Sequence, residues 1–197
     1  MKAVIIRHGE TEHNKDGSIT GQLDIELTNL GIQQAEKVAE RLKNKNFTAA
    51  YSSDLERTYQ TTEIVAKKHN LQPEACKEFR ERSYGDYEGN SKDNWRDVVR
   101  KHGGNRQTLS SEKGESLQEV GERFVGKLNE IKKRHQSEII LVGSHGVAIK
   151  ALLMKILNLK GDEYNKLEQD NTGVTELEFN EGKGWRIISM NDTAHLE

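Results

Sequence analysis

Ala3-Val4-Ile5-Ile6-Arg7-His8-Gly9-Glu10-Thr11 begins as an apolar run and turns polar within one step. Four apolar residues in succession read as a short strand buried on both faces, because a strand with one wet face would alternate. Strands of that kind belong to parallel sheets covered by helices. In such sheets ligands bind beyond the C-terminal ends of the strands, which is where Arg7, His8 and Gly9 stand.

The rest of the chain repeats this logic. Residues 28–44 carry Leu30, Ala35, Val38, Ala39 and Leu42 at helical spacing. A short strand is expected at 49–52. Ser53-x-x-Glu56 reads as a capping box opening a helix to about Asn70. Residues 74–79 suggest a further strand. Ser116-x-x-Glu119 caps a helix to about His135, and residues 138–142 form a strand followed by an apolar helix over 147–157. Residues 174–179 and 185–189 read as a closing strand pair. The expected fold class is α/β, a three-layer sandwich with a mostly parallel mixed sheet flanked by helices. Residues 1–197 are expected to form one domain, with 90–114, polar and helical only near 94–101, as a substrate lid.

Composition narrows the function classes. A chain of 197 residues buries about 70% of its unfolded surface, enough for a core without staples. Its net charge of −2 and interspersed acids and bases exclude a nucleic-acid footprint. No apolar run approaches the roughly 20 residues of a membrane span, and the apolar start is too short for a secretory signal. Cys76 is the one cysteine, so a reducing, cytoplasmic setting is expected.

Two His-Gly pairs lie at expected strand ends, His8-Gly9 and His145-Gly146. A neutral imidazole attacks phosphorus if one ring nitrogen is bare and the other is held as a donor. Arginines supply forked donors for the anion: Arg7 sits beside His8, and Arg57 in the first turn of an expected helix.

These residues resemble the histidine phosphatase superfamily, which includes the cofactor-dependent phosphoglycerate mutases. The resemblance runs in order through Arg7-His8-Gly9-Glu10-Thr11-x-x-Asn14, Gly21-Gln22-Leu23-Asp24-x-x-Leu27-Thr28-x-x-Gly31 and Ser52-Ser53-Asp54-Leu55-x-Arg57-Thr58-x-x-Thr61. It continues through Glu81-Arg82-x-Tyr84-Gly85-x-Tyr87-Glu88-Gly89 and Ser144-His145-Gly146. It implies a phosphoryl-carrying His8, with Arg7, Arg57 and His145 completing the phosphate pocket and Glu81 as proton donor. Asn14, Gln22 and Gly146 are implied substrate contacts, and Asn171 a residue of the pocket rim. The implied activity is hydrolysis of small phosphomonoesters, with no metal and no cofactor, on a small phosphorylated metabolite.

Four rivals are weighed against this reading. A phosphoglycerate mutase would use 2,3-bisphosphoglycerate, but mutases of the family are generally longer. They carry adjacent arginines where this chain has Lys92 and, beside Trp95, only Arg96. An inactive phosphate- or phosphopeptide-binding module would be expected to lack His8, Arg57 or His145. Cys76-x5-Arg82 matches the spacing of cysteine-dependent phosphatases, yet its loop holds two glutamates and no glycine. A metal at His8 and His13 would require them on a helix.

Overall fold

The strand Lys2–Arg7 (β1) forms the inner line of a sheet whose other strands are Phe47–Ser52 (β2), Glu74–Ala75 (β3), Ile139–Ser144 (β4), Val174–Asn180 (β5) and Gly184–Asp192 (β6). The computed structural model of the chain describes residues 1–103 and 107–197. The sheet order is β3-β2-β4-β1-β5-β6. β1 pairs with β4, β4 with β2 and β2 with β3 in parallel, while β5 runs antiparallel to both β1 and β6. Helices fill the connections: Glu12–Asp16 (α1), Asn29–Leu42 (α2), Glu56–Lys67 (α3), Lys92–Lys101 (α4), Leu117–Lys132 (α5) and Gly146–Leu157 (α6).

The continuous apolar run of β1 is explained by two cores. Ala3 and Ile5, with Ile140 and Val142 of β4, pack against Val120, Phe124, Ile149 and Leu152 of α5 and α6. Val4 and Ile6, with Leu141, face Val38, Ala39, Val65 and Ala66 of α2 and α3. Alternate residues of one strand thus serve opposite layers. Each large aliphatic side chain buried this way stabilises by about 1.5–3 kcal/mol.

Several local expectations shift. The stripe of α2 holds at Ala35, Val38, Ala39 and Leu42, but Leu30 in its first turn is 48% exposed. α3 begins at Glu56 behind Leu55, not behind a Ser53 cap. Ser53 N donates to Gly143 O at 3.0 Å, so residue 53 is still tied to the sheet and the helix starts later. The expected strand at 74–79 pairs only over Glu74–Ala75. It then coils into a 3-10 turn, Lys77–Phe79, that delivers Phe79 against Phe124 at 4.8 Å between centroids. α3 and α5 stop at Lys67 and Lys132, a few residues short of the expected ends. Ser116 and Glu119 form the expected capping box.

Within the expected lid, α4 is capped by Ser91 and seats Trp95 and Val99 against Ile19, Tyr84 and Tyr87. Residues 104–106 of that segment lie outside the described residues.

Candidate active site

Strand register brings the site together. Arg7 is paired with Ser144, and Ser52 with Gly143. The residues that follow, His8, His145 and Ser53, therefore emerge side by side at the C-terminal edge of the sheet. The His8 and His145 rings meet edge to face, 5.3 Å between centroids.

His8 is held on all sides but one. Its Nδ1 lies 2.7 Å from Gly9 O. A carbonyl only accepts, so Nδ1 carries the proton and Nε2 keeps its lone pair. Nε2 has no hydrogen-bond partner among the described residues, and the ring lines a cleft of about 400 Å3. The His8 carbonyl accepts from Asn171 Nδ2 at 3.0 Å and Thr172 N at 3.3 Å. Thr172 adopts φ 55° while fully buried. A β-branched residue there costs about 1–3 kcal/mol, strain spent on fixing His8. Burial, then the Arg57 and Arg7 charges, holds the His8 ring well below the usual histidine value, so it is neutral at pH 7.

His145 is fully buried and faces protein rather than the cleft. Arg57 Nη2 donates to its Nδ1 at 3.1 Å, and its Nε2 lies 2.8 Å from Ser53 Oγ. An arginine only donates, so the His145 proton sits on Nε2. Burial, then Arg57, also keeps this ring neutral.

Arg57 is further pinned by Leu23 O at 2.8 Å and Gly21 O at 2.9 Å. Burial lowers it to about 10, still cationic at neutral pH. Arg7 donates to Gln169 O at 2.7 Å, and its Nε has no partner among the described residues. A Cβ on Gly146 would stand 3.3 Å from that Nε, so this glycine admits the Arg7 guanidinium. Gly9 serves packing. A Cβ there would meet Gly31 O at 2.3 Å, so it lets the His8 loop pack on α2.

Glu81 is buried, not paired with Arg80 or Arg82 at the surface. Its Oε1 accepts from Arg82 N and Ala148 N, both at 2.8 Å, and Oε2 from Val147 N at 3.0 Å. Two of those donors belong to the first turn of α6, which welcomes an acceptor. Arg80 instead forms a two-pronged ion pair with Asp54.

Of the remaining expected residues, Asn14 lines the cleft and accepts from Asn171 at 3.1 Å. Gln22 does not face it; its amide bridges Arg80 and Glu81 O. Arg82 is buried between Tyr84 and Trp95, and burial pushes the Cys76 thiol up to about 11. Cys76 is therefore a protonated core residue. Among the described residues no group of three His, Cys, Asp or Glu could hold a metal ion. No helix among them is long and apolar enough to cross a membrane.

Residues 3–193 match the family model of the histidine phosphatase superfamily, branch 1. The chain belongs to that superfamily.

Its relatives carry two kinds of name. It is 34% identical to the probable phosphoglycerate mutase GpmB of Yersinia pestis, over all of this chain and 95% of that protein. Among solved structures it resembles a phosphoserine phosphatase of Entamoeba histolytica in complex with 3-phosphoglyceric acid. There the TM-score is 0.87 and identity 33%, covering 100% of this chain and 99% of that one. A mycobacterial glucosyl-3-phosphoglycerate phosphatase aligns at TM-score 0.86 and 27% identity, covering 96% and 98%.

In this histidine phosphatase superfamily member the cleft also holds residues that sequence reasoning passed over, among them Lys150, Tyr164 and Gln169. Lys150 stands four residues after Gly146, hence on the same face of α6. That spacing was a usable signal.

Proposed function

We propose that this chain is a phosphatase of small phosphomonoesters that carries the phosphoryl group on His8. The observation that carries the reading is the bare, neutral Nε2 of His8 in a cleft also lined by Arg7 and Arg57. Nε2 attacks phosphorus as the ester P–O bond breaks, and the arginines meet the charge on the equatorial oxygens. Glu81, which lines the same cleft, gives its proton to the departing alkoxide. Water then attacks phospho-His8, Glu81 takes up the water's proton, and inorganic phosphate leaves with Nε2 restored. His145 acts from beneath the floor, its edge against His8 and its Nδ1 on Arg57, holding both in place. Two arginines supply the positive charge, so the reading calls for no metal ion and no cofactor.

The phosphatase structures among the neighbours support hydrolysis of a small phosphorylated metabolite. A second reading, a 2,3-bisphosphoglycerate-dependent mutase, is favoured by the placement of Lys92 and Arg96 in the cleft. In it, a phosphoglycerate rather than water would discharge His8.

Rapid quenching with labelled substrate tests the shared first step. An acid-labile, base-stable phosphoenzyme is expected, absent in His8→Ala. A phosphoenzyme that persists in the alanine variant refutes the assignment. Chasing it with water or with 3-phosphoglycerate separates the two readings.

A further inference from the structure

The charge inside the cleft is lopsided. Five cationic side chains among the described residues line it: Arg7, Arg57, Lys92, Arg96 and Lys150. The one carboxyl group among them is Glu81, whose oxygens accept from three backbone N–H groups and whose remaining site serves the leaving oxygen. Arg7 and Arg57 flank His8 and serve the transferring phosphoryl group, which leaves three cations.

Those three are not alike. Arg96 is exposed and paired with Asp93 at 2.7 Å on its own helix. Lys92 and Lys150 have no salt-bridge carboxylate among the described residues; Lys92 is exposed like Arg96, and Lys150 alone is half-buried. Burial, then the Arg7 charge, lowers both ammonium groups. Holding a partly desolvated cation without a counter-ion is unfavourable, and a bound anion removes that penalty. Lys150 is also directed: its Nζ lies 5.1 Å from the Tyr164 ring centroid, a cation–π contact that fixes the long stem.

Position ties Lys150 to the alcohol half of the substrate. Val147 and Ala148, which hold Glu81, precede it on α6 by one turn or less. Glu81, the proposed acid, is thus anchored by hydrogen bonds to the helix that carries the Lys150 ammonium. We propose that Lys150 is the specificity residue of this cleft, taking a second anionic group borne by the alcohol, so that the enzyme selects acid phosphates over neutral and zwitterionic ones. The inference rests on the cleft being a phosphoester site. It goes further by rejecting an ammonium beside the phosphate, since no lining carboxylate among the described residues is free to receive one.

Three substrates with the same phosphoryl group test this: 3-phosphoglycerate, glycerol 3-phosphate, which replaces the carboxylate by a hydroxymethyl, and phosphoserine, which replaces the hydroxyl by an ammonium. A charge-assisted contact gives about tenfold or more in kcat/KM for 3-phosphoglycerate over each of the others. Lys150→Met should collapse the preference over glycerol 3-phosphate to within about threefold, chiefly through KM, and Lys150→Arg should keep it. A wild-type ratio near one, or a ratio unchanged in Lys150→Met, overturns the proposal. Nitrophenyl phosphate is the control on the underlying reading. If the wild type hydrolyses none of the four esters, the phosphatase reading fails. The subsite is then read by calorimetric titration of 3-phosphoglycerate and glycerol 3-phosphate on the same variants, with the same affinity ratios expected.

Discussion

Lowering the pH should destabilise this protein through the two histidines of its active site. Burial comes first among the causes that keep His8 and His145 neutral in the folded state, reinforced by Arg57. In the unfolded chain each titrates near 6.5. Below that pH the unfolded state binds more protons than the folded one, so stability present at neutral pH is lost as pH falls. The slope is at most about 1.4 kcal/mol per pH unit for each group. Integrated from about pH 7.5 to about pH 5.5, the loss is about 1.4 kcal/mol per histidine and about 2.7 kcal/mol for the pair. Urea unfolding at the two pH values measures it, in buffers free of phosphate, which would stabilise the fold by binding. His8→Asn and His145→Asn should each remove about half of the pair's contribution. His69 and His195 are shifted in the same direction, but they remain in every variant and cancel in the comparison. If either asparagine variant keeps the full wild-type pH dependence, that histidine titrates alike in the folded and unfolded chains, and burial does not hold it neutral.

Gly9→Ala should lower Tm by several degrees, since its Cβ would press on Gly31 O at 2.3 Å and overpacking costs about 1–3 kcal/mol; an unchanged Tm would show that the His8 loop is not held against α2. Glu81→Gln should slow alkyl phosphates about 10²–10⁴-fold relative to nitrophenyl phosphate, whose leaving group needs little protonation. The amide also turns a donor toward Val147 N or Ala148 N, which lowers stability, but the ratio between the two esters is free of that effect; equal losses would pass the acid's role to Glu88. Activity should persist after exhaustive chelation, because Arg7 and Arg57 provide the charge; loss with EDTA that a divalent ion restores would refute metal independence.

Local sequence determined most of the elements and pointed to His8 as the proposed nucleophile. The unbroken run Ala3-Val4-Ile5-Ile6 could be satisfied only between two helical layers, and the two cores on either side of β1 are that consequence. The Ser116–Glu119 capping box was equally legible, because its hydrogen bonds close within one turn. Ser53 shows where such reasoning stops. It has the spacing of a cap, yet Gly143 holds its backbone and His145, 92 residues away, takes its side chain. The choice of Glu81 over Glu78 or Glu88 came from resemblance; its physical basis is the first turn of α6, which aims two N–H groups at it. The tautomers of His8 and His145, the inward turn of His145 and the exclusion of Gln22 from the cleft were likewise decided by partners brought in by β1–β4–β2 register. Periodicity and capping depend on neighbours within a few residues. A site at the edge of a parallel sheet is assembled from strand ends that meet only when the whole sheet has formed.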